Sequence, residues 1–265
     1  MFLASFPREE AFFVPEPTMT DARTSNDAAR LAAAHILVVG LGALGCPAAW
    51  ALAAAGVGRL TLVDPDRVEL SNLHRQFLHS VTTIGQFKVE SAAARLRAAF
   101  PAVDLVLHRE AVTAANLPTL FAAADFVIDA TDGVAAKFLL NDGAVACARS
   151  YSHAGIVGFA GQTLTVVPGR SACVRCVFPE APAPDSIPSC REAGVVGAIA
   201  GVIGALQAGE AIAHLTGRGA ALLDRMLTFD GLTGRWRHVR VARDPRCPAC
   251  AATPAAVLDA AETAR

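Results

Sequence analysis

The chain has 265 residues, of which 53% are hydrophobic, enough to fill the core of one large α/β domain or two small ones. Its formal charge is -1 and its pI is about 6.6, which excludes an overall positive field that would attract nucleic acid or an anionic membrane surface. The seven cysteines include two C-x-x-C pairs about 70 residues apart, which favours a metal site in a reducing cytoplasm over disulfides.

The two ends of the chain carry little regular pattern. Residues 1–26 mix Pro, Thr, Ser, Asp and Phe without periodicity and without the features of a secretory signal, which predicts a poorly ordered extension. Asn26 is expected to cap a short helix that leads into I-L-V-V, a buried parallel strand ended by Gly40. Residues 251–265 are rich in Ala and are expected to form a frayed tail.

Helices and strands alternate through the first half of the chain, about residues 27–150. Helices are predicted near residues 43–55, 85–99, 116–123 and 134–148, and strands at R-L-T-L-V-D, D-L-V-L-H and D-F-V-I-D-A. This alternation predicts a Rossmann-like, mostly parallel sheet with helices on both faces.

The second half, about residues 151–250, is predicted to be less regular. It returns to strands in S-H-A-G-I-V-G-F-A-G-Q-T-L-T-V-V-P, and the proline-rich residues 179–190 form a loop or crossover. Residues 193–209 are uncharged and contain G-x-x-x-G at Gly197 and Gly201. Because a membrane span needs about 20 apolar residues, a buried, close-packed helix is favoured over a membrane helix.

A glycine-rich turn is the first motif with chemical meaning. Gly40, Gly42 and Gly45 form G-L-G-A-L-G between a predicted strand and a predicted helix, where backbone N–H groups can approach a phosphate. Asp64 closes the next strand, and a carboxylate at that spacing can accept hydrogen bonds from a ribose. The combination predicts nucleotide binding, although a glycine triplet alone could mark only a tight turn.

The polar stretch S-N-L-H-R-Q-F follows the acidic end of that strand. Its Arg75, together with Lys88, could neutralise a triphosphate and the charge that develops during transfer. Asn72 and Gln76 could fix phosphate or ribose oxygens. A dehydrogenase has less need of such a cluster, because hydride transfer uses a nicotinamide pocket. The structural alternative is a solvated helix N-terminus capped by Ser71.

A second acidic element, D-A-T-D, ends the strand D-F-V-I at the sheet edge where ligands bind in open α/β folds. Its Asp132 is a natural ligand for magnesium, which takes one or two carboxylates in addition to phosphate oxygens. The alternative is that Asp132 only caps the next helix. His153 is expected to line the site, whereas His74 and His79 are expected to be bystanders.

Four cysteines form the set C-x-x-C…C-x-x-C, which predicts a tetrahedral zinc site: Cys173, Cys176, Cys247 and Cys250. Four thiolates close the coordination shell, so this zinc would join the second half to the C-terminal region without catalysing a reaction. A pair of redox dithiols is the alternative.

The other three cysteines have different expected roles. Cys190 follows the proline-rich segment beside Arg191, which could stabilise a thiolate, so it is the candidate nucleophile. Cys46 and Cys147 fall within predicted helices and are expected to pack as small hydrophobic side chains.

Taken together, these motifs resemble the MoeB/ThiF family of sulfur-carrier protein adenylyltransferases, which are related to ubiquitin-activating enzymes. The resemblance covers about residues 28–250 and rests on V-V-G-L-G-A-L-G, D-P-D-R-V-E-L-S-N-L-H-R-Q-F, G-Q-F-K-V-E-S, D-A-T-D, both C-x-x-C pairs and A-G-V-V-G-A-I-A-G-V-I-G-A-L-Q-A-G-E-A-I. It implies one adenylation domain over residues 27–250 that uses ATP and magnesium and carries structural zinc. The implied reaction adenylates the C-terminal glycine of a ubiquitin-like sulfur carrier ending in Gly-Gly and releases pyrophosphate.

The resemblance also implies roles for single residues. Asp64 would bind the ribose of ATP, and Asp132 would hold magnesium. Four residues would surround the phosphates: Asn72, Arg75, Gln76 and Lys88. Cys190 would match the cysteine that links to the carrier in some members, and a persulfide from a sulfurtransferase is the other sulfur source.

The family is usually homodimeric, so a homodimer is expected, with the Gly/Ala helix contributing to its interface. Neither nucleic acid nor a membrane is an expected partner, and the expected location is the cytoplasm. Three other interpretations stay open: an NAD-dependent oxidoreductase, a tRNA-modifying relative that activates a carboxylate, and a non-catalytic nucleotide-binding descendant.

The chain departs from the family pattern at three places. It lacks an R-Y-x-R-Q-like segment, whose arginine reaches the neighbouring subunit's ATP, and offers only Arg8, Arg23 and Arg30 as substitutes. Gly133 stands where Asn is common, and Lys137 stands where Arg is frequent.

Overall fold

The computed structural model describes residues 22–182 and 194–252, with side chains described from residue 26 onward. The predictions for Arg8, Cys190, Arg191 and the tail after residue 252 fall outside the described residues, as does the side chain of Arg23.

One eight-stranded sheet and seven α-helices make up the described part of the chain. The helices are α1 Ala22–Ala33, α2 Gly45–Ala54, α3 Lys88–Ala99, α4 Leu117–Ala122, α5 Val134–Ala146, α6 Val174–Val177 and α7 Gly197–Leu215. The strands are β1 His35–Val39, β2 Arg59–Val63, β3 Asp104–His108, β4 Phe126–Asp129, β5 Tyr151–Val157, β6 Ala160–Val166, β7 Arg225–Asp230 and β8 Arg235–Arg240.

The strand order is β3-β2-β1-β4-β5-β6-β7-β8. The pairings from β3 through β5 are parallel, and those from β5 through β8 are antiparallel. The predicted mostly parallel α/β sheet is therefore confirmed. Since β1 lies between β2 and β4, the order of the strands reverses at β1 and β4, the place where such sheets bind ligands.

Helices cover both faces of this sheet, and the alternation of side chains along β1 shows why. Ile36 and Val38 point into one apolar core, which also contains buried residues of α2, α3 and α7. Leu37 and Val39 point into the other core, which contains residues of α4 and α5 and buried cysteines. Strands buried on both sides need continuous apolar runs, and H-I-L-V-V is such a run.

The first helix begins earlier than the sequence suggested. Helix α1 starts at Ala22, so the prediction that Asn26 caps it is wrong, and Asn26 lies exposed inside the helix. The segment A-R-T-S-N-D-A-A-R-L-A-A contains no proline or glycine to stop the helix before Asn26, and Leu31 anchors it in the core.

Helix α7 is the Gly/Ala helix that the sequence predicts, but it begins at Gly197 and not at residue 193. Among the described helices it is the one long and apolar enough to cross a membrane by length and composition. It packs against α2 and against β4, β5 and β6, with Ile199, Ile203 and Ala208 buried. The helix therefore forms part of the protein core.

The second half extends the same sheet. Strands β6, β7 and β8 continue it as antiparallel neighbours, and β7 and β8 are joined by a short turn between Asp230 and Arg235. The sequence analysis does not specify β7 and β8, because R-W-R-H-V-R is too polar to read as a buried strand. All six residues of β8 are exposed, as expected for the last strand of a sheet.

Candidate active site

A cavity of about 1400 Å³ runs from the carboxyl ends of β1 and β4 across one face of β5 to β8. This volume exceeds the roughly 300–1,000 Å³ of common small-ligand pockets, which leaves room for a nucleotide and an extended chain end. Eight predicted site residues line it: Gly40, Gly42, Asp64, Arg75, Gln76, Lys88, Asp132 and His153. The structure therefore brings most of the predicted nucleotide site together in one space.

The glycine turn needs its glycines. Gly40 has a φ of +94°, and a Cβ there would lie 2.6 Å from the carbonyl oxygen of Ala130. A Cβ on Gly45, which begins α2, would lie 1.8 Å from the carbonyl oxygen of Gly40. Only glycine lets the turn after β1 fold this tightly between the start of α2 and the end of β4, with Gly42 open to the cavity.

Asp64 braces the glycine turn from the neighbouring strand. Its Oδ2 accepts a hydrogen bond from the Leu41 N–H at 2.6 Å, and its Oδ1 accepts one from the Asp66 N–H at 2.8 Å. Burial raises the pKa of Asp64, while the Lys88 ammonium and these two N–H groups oppose the rise. Each oxygen of the carboxylate thus accepts one backbone N–H, which fixes its orientation. The carboxylate also borders the cavity, where its remaining lone pairs can accept a ribose hydroxyl.

The segment S-N-L-H-R-Q-F is a pair of tight turns and not the start of an α-helix. It begins in a 3₁₀ helix, Leu70–Asn72, and the Ser71 hydroxyl donates to Glu69, so Ser71 does not act as the alternative cap. Arg75 donates to the Ser71 carbonyl at 3.0 Å and to the Asn72 Oδ1 at 3.1 Å. Asn72 therefore positions the guanidinium from behind and is not itself among the residues that line the cavity.

Gln76 reaches the glycine turn. The side chain is buried, and a Cβ on Gly42 would lie 3.6 Å from its Nε2. Its Oε1 is buried without a hydrogen-bond partner among the described residues. Since a buried amide oxygen normally has a partner, this atom is suited to a donor from a ligand.

Lys88 has an acidic partner that the sequence analysis did not assign. Its Nζ lies 2.7 Å from the Oδ2 of Asp66, and its backbone N–H donates to the Asp66 carbonyl. Lys88 is nearly buried, whereas the Asp66 side chain is 63% exposed, and both line the cavity. The position of Asp66 two residues after Asp64, in D-P-D, is the signal that could have identified it.

Asp132 is exposed on the cavity wall just before α5. The N-cap of α5 is Gly133, and no side chain caps this helix, so the alternative role of Asp132 as a cap is wrong. A carboxylate that faces a cavity and has no capping duty fits the single protein ligand that magnesium needs beside phosphate oxygens.

The other acid of D-A-T-D, Asp129, is fully buried at the end of β4. His153 Nδ1 lies 2.9 Å from its Oδ2, Lys137 Nζ lies 3.3 Å from both oxygens, and the Thr131 hydroxyl donates to Oδ1 at 2.7 Å. Burial alone would raise the pKa of Asp129, but the Lys137 cation and the His153 hydrogen bond lower it to about 2. Asp129 is therefore a charged, fully partnered carboxylate.

The far part of the cavity is floored by the antiparallel strands. Gly155, Gln162, Thr228 and Arg237 are successive cross-strand neighbours on β5 to β8, and all four line the cavity. Their row shares the sheet face of His153, which lies two residues before Gly155. This partly exposed floor, with its exposed arginine, is a part of the site that the sequence analysis missed.

The four predicted zinc ligands meet in space although the two pairs are far apart in the chain. All four sulfurs lie within 4.8 Å of one another, with Cys173–Cys247 at 3.5 Å, Cys176–Cys250 at 3.4 Å and Cys173–Cys176 at 3.9 Å. A tetrahedral zinc with four sulfurs at about 2.3 Å would space them about 3.8 Å apart, so the cluster fits zinc. Burial and the neighbouring thiols raise the pKa of Cys250 to about 11, because they disfavour the thiolate. A bound cation would stabilise the thiolate and so offset this cost.

The remaining predictions concern bystanders. Burial raises the pKa of Cys46 to about 12, as expected of a packed and unreactive thiol, and Cys147 is half-buried against the core. His79 is buried between the Ser91 hydroxyl and the Leu41 carbonyl and does not line the cavity. Arg30 donates to the Thr216 carbonyl at the end of α7.

Comparisons with known proteins agree with this architecture. A sequence model of the ThiF family matches residues 18–249. The adenylyltransferase and sulfurtransferase MOCS3 of Bos taurus is 46% identical over 226 residues, and that of Sus scrofa is 44% identical over 226 residues. Each match covers 85% of this chain and 50% of the relative, so the chain spans about half the length of these curated relatives.

Solved structures share the fold. The crystal structure of Escherichia coli MccB with ATP has a TM-score of 0.73 at 20% identity and covers 86% of this chain and 69% of that chain. The structure of PaaA has a TM-score of 0.68 at 21% identity and covers 83% of this chain and 68% of that chain.

Proposed function

This chain belongs to the ThiF family, and we propose from that premise that it adenylates the C-terminal glycine of a ubiquitin-like sulfur-carrier protein with ATP. The observation that carries the proposal is the convergence of the glycine turn, a ribose acceptor, two cations and a cavity-facing aspartate in one cavity. An NAD enzyme would not need the cations, and the absence of an excess positive charge argues against a tRNA substrate.

In this proposal the nucleotide occupies the end of the cavity formed by β1, β2 and β4. Asp64 accepts from the ribose, the N–H groups of the glycine turn receive a phosphate, and Gln76 offers its unpartnered Oε1. Arg75 is held ready by Asn72, and Lys88 exchanges its partner Asp66 for phosphate oxygens. Magnesium, held by Asp132, would neutralise charge on the phosphates.

The second substrate enters across the floor of β5 to β8. An extended glycine-rich tail fits this surface, because Gly155 adds no side chain to the floor and the open arginines of β8 can pair with acidic side chains of the carrier. The tail's carboxylate attacks the α-phosphate, pyrophosphate leaves, and Arg75 and Lys88 stabilise the charge that develops between them. No covalent bond to the enzyme forms in this step.

Four further parts of the proposal concern zinc, location, oligomeric state and the source of sulfur. The four-cysteine cluster binds structural zinc, and its free thiols suit a reducing cytoplasm, where we place the protein. A homodimer is proposed from the family resemblance. The adenylate is then opened by a persulfide from a sulfurtransferase or by Cys190. The names of the MOCS3 relatives include a sulfurtransferase activity, which we do not assign to this chain because it spans only half their length.

Pyrophosphate exchange into ATP, driven by a ubiquitin-like protein ending in Gly-Gly, tests the proposal. Arg75→Ala should lower exchange at least about 100-fold, since it removes a cation that acts on developing charge. The matched control is Arg59→Ala. Arg59 forms an exposed pair with Asp104 at the amino ends of β2 and β3, away from the cavity, so this change should leave exchange intact. ATP binding without exchange for every Gly-Gly carrier tested would contradict the proposal and support a non-catalytic binding protein.

Cys190→Ala separates the two half-reactions. Exchange should persist in this variant because adenylation needs no thiol, whereas sulfur transfer should fall if Cys190 acts as a relay. Loss of exchange in Cys190→Ala would contradict this division of roles.

A further inference from the structure

The pair formed by Asp129 and His153 lies at the junction between the two parts of the cavity. Asp129 comes three residues before the exposed Asp132, and His153 comes two residues before Gly155 on the cavity floor. The Cα atoms of Asp129 and His153 are register partners on β4 and β5. A chain end that reaches the nucleotide across this floor therefore passes His153.

The geometry leaves one ring nitrogen of His153 available. Nδ1 lies 2.9 Å from Oδ2 of Asp129, and a carboxylate there requires that Nδ1 carry the proton. Nε2 then has a free lone pair, and it has no hydrogen bond to another described residue, while the ring lines the cavity. Burial lowers the pKa of His153, the Asp129 carboxylate opposes this shift, and the Lys137 cation adds to it. The net direction is below the ordinary value, which favours a neutral ring near pH 7.

We propose that His153 accepts the proton of a sulfhydryl nucleophile that opens the acyl-adenylate in this cavity, and that Asp129 is its positioning residue. The inference rests on the proposed function, because the acyl-adenylate is the product of that reaction. It adds a residue for the second step, whose nucleophile carries a proton, to a site whose first step needs no base.

The step balances with the sulfhydryl compound as the only co-reactant. Its sulfur forms a bond to the acyl carbon, and the bond between that carbon and the phosphate oxygen breaks. AMP leaves with the electron pair of the broken bond, and the proton passes from sulfur to Nε2 of His153 and then to solvent. A thiol with a pKa of about 8.5 is mostly protonated at pH 7, so a base at this position can speed the reaction by removing that proton.

The experiment supplies the adenylate ready-made. A synthetic peptide adenylate ending in Gly-Gly-AMP is mixed with 2-mercaptoethanol, and AMP release is followed at pH 7 with wild type and His153→Asn. The asparagine amide can replace the Nδ1–H donor to Asp129 but offers no base. The wild type should accelerate thiolysis, and the variant should be about 100-fold slower. No acceleration by the wild type, or equal rates, would overturn the inference.

A thiol that is already ionised separates proton removal from a structural role. With an aromatic thiol of low pKa, the difference between wild type and His153→Asn should largely disappear, because no proton remains to be taken. An equal loss with both thiols would mean that the variant has disturbed the cavity, and would overturn the inference. The matched control is His35→Asn, because His35 lies at the amino end of β1 and outside the cavity.

A spectroscopic measurement on the wild-type protein tests the geometry without any substrate. The ¹⁵N chemical shifts of His153 should show a neutral ring with the proton on Nδ1 at pH 7. A protonated ring, or a proton on Nε2, would overturn the inference even if His153→Asn did not fold. Because neither this measurement nor the synthetic adenylate uses pyrophosphate exchange, failure of the proposed function is recognised separately.

Discussion

At the scale of single residues, the most consequential group is a buried carboxylate outside the predicted ligand set. Asp129 is fully buried, and its pKa of about 2 reflects Lys137 and His153 acting against burial. A folded-state pKa below the ordinary value of about 3.9 means that the charged form stabilises the fold by about 2 kcal/mol above pH 4. That contribution is lost as the pH falls from about 4 towards 2.

Lys137→Met tests how much the Lys137 cation offsets the burial of the Asp129 carboxylate. The variant leaves the buried carboxylate without its cation, so its free energy of unfolding at pH 7 should fall by about 3 kcal/mol. The deficit should shrink towards pH 3, because protonation of Asp129 then removes the unpaired charge. Urea unfolding at pH 7, 5 and 3 measures both effects.

The matched control for Lys137→Met is Arg59→Met, which breaks an exposed ion pair with Asp104. It should change stability by less than about 1 kcal/mol at any of these pH values. A deficit for Lys137→Met that stays constant from pH 7 to pH 3 would mean that packing, and not charge, explains the contact.

At the scale of elements, α7 holds the carboxyl end of β4 beside β5. Gln207 donates from this helix to the backbone carbonyls of Asp129 and Ser152, at 2.9 and 3.0 Å, and so joins β4 and β5. Gly204 allows the close approach to α2, since a Cβ there would lie 2.4 Å from the Leu44 carbonyl oxygen. Gly204 therefore serves packing within the chain.

Two glycines of α7 should respond oppositely to alanine. A Cβ added at Gly201 would have no atom within 4 Å. Gly201→Ala should therefore stabilise the protein by about 0.5–1 kcal/mol, because alanine has the better helix propensity. Gly204→Ala must push α7 away from α2 and should destabilise it by about 2 kcal/mol. Chemical unfolding of both variants decides this, and similar effects of the two changes would contradict the packing described.

At the scale of the whole molecule, the cysteine cluster joins distant parts of the chain. Cys173 and Cys247 are 74 positions apart, and between them lie α7 and the strands β7 and β8. Closing so long a segment with a metal restricts the unfolded chain, and the coordination energy adds to the stability of the fold.

Removal of the metal should therefore destabilise the protein as a whole. We expect one zinc per chain by elemental analysis, and Cys247→Ala should lose this zinc and melt roughly 10 °C lower. Cys147→Ala, a change at a half-buried cysteine outside the cluster, should keep the zinc. Full stability of Cys247→Ala, or metal-free protein that melts like the wild type, would contradict a structural zinc.

The local features of this protein could be predicted from sequence. Alternating strands and helices, the tight turn at Gly40 and the four-cysteine spacing are set by neighbouring residues or by ligand chemistry, and the structure contains each of them. The start of α1 was predicted wrongly because Asn26 matches a cap pattern that the helix passes through.

What only the tertiary structure decided is which side chains meet. The Lys88–Asp66 pair joins positions 22 residues apart, and the His153–Asp129 pair joins positions 24 residues apart. The row from Gly155 to Arg237 depends on the register of four strands, one of which is exposed throughout. The sequence alone determined the nucleotide-binding motifs because they are local. The folded sheet decided the partners of their charges and the floor beside them, because strand pairing and register depend on contacts between distant segments.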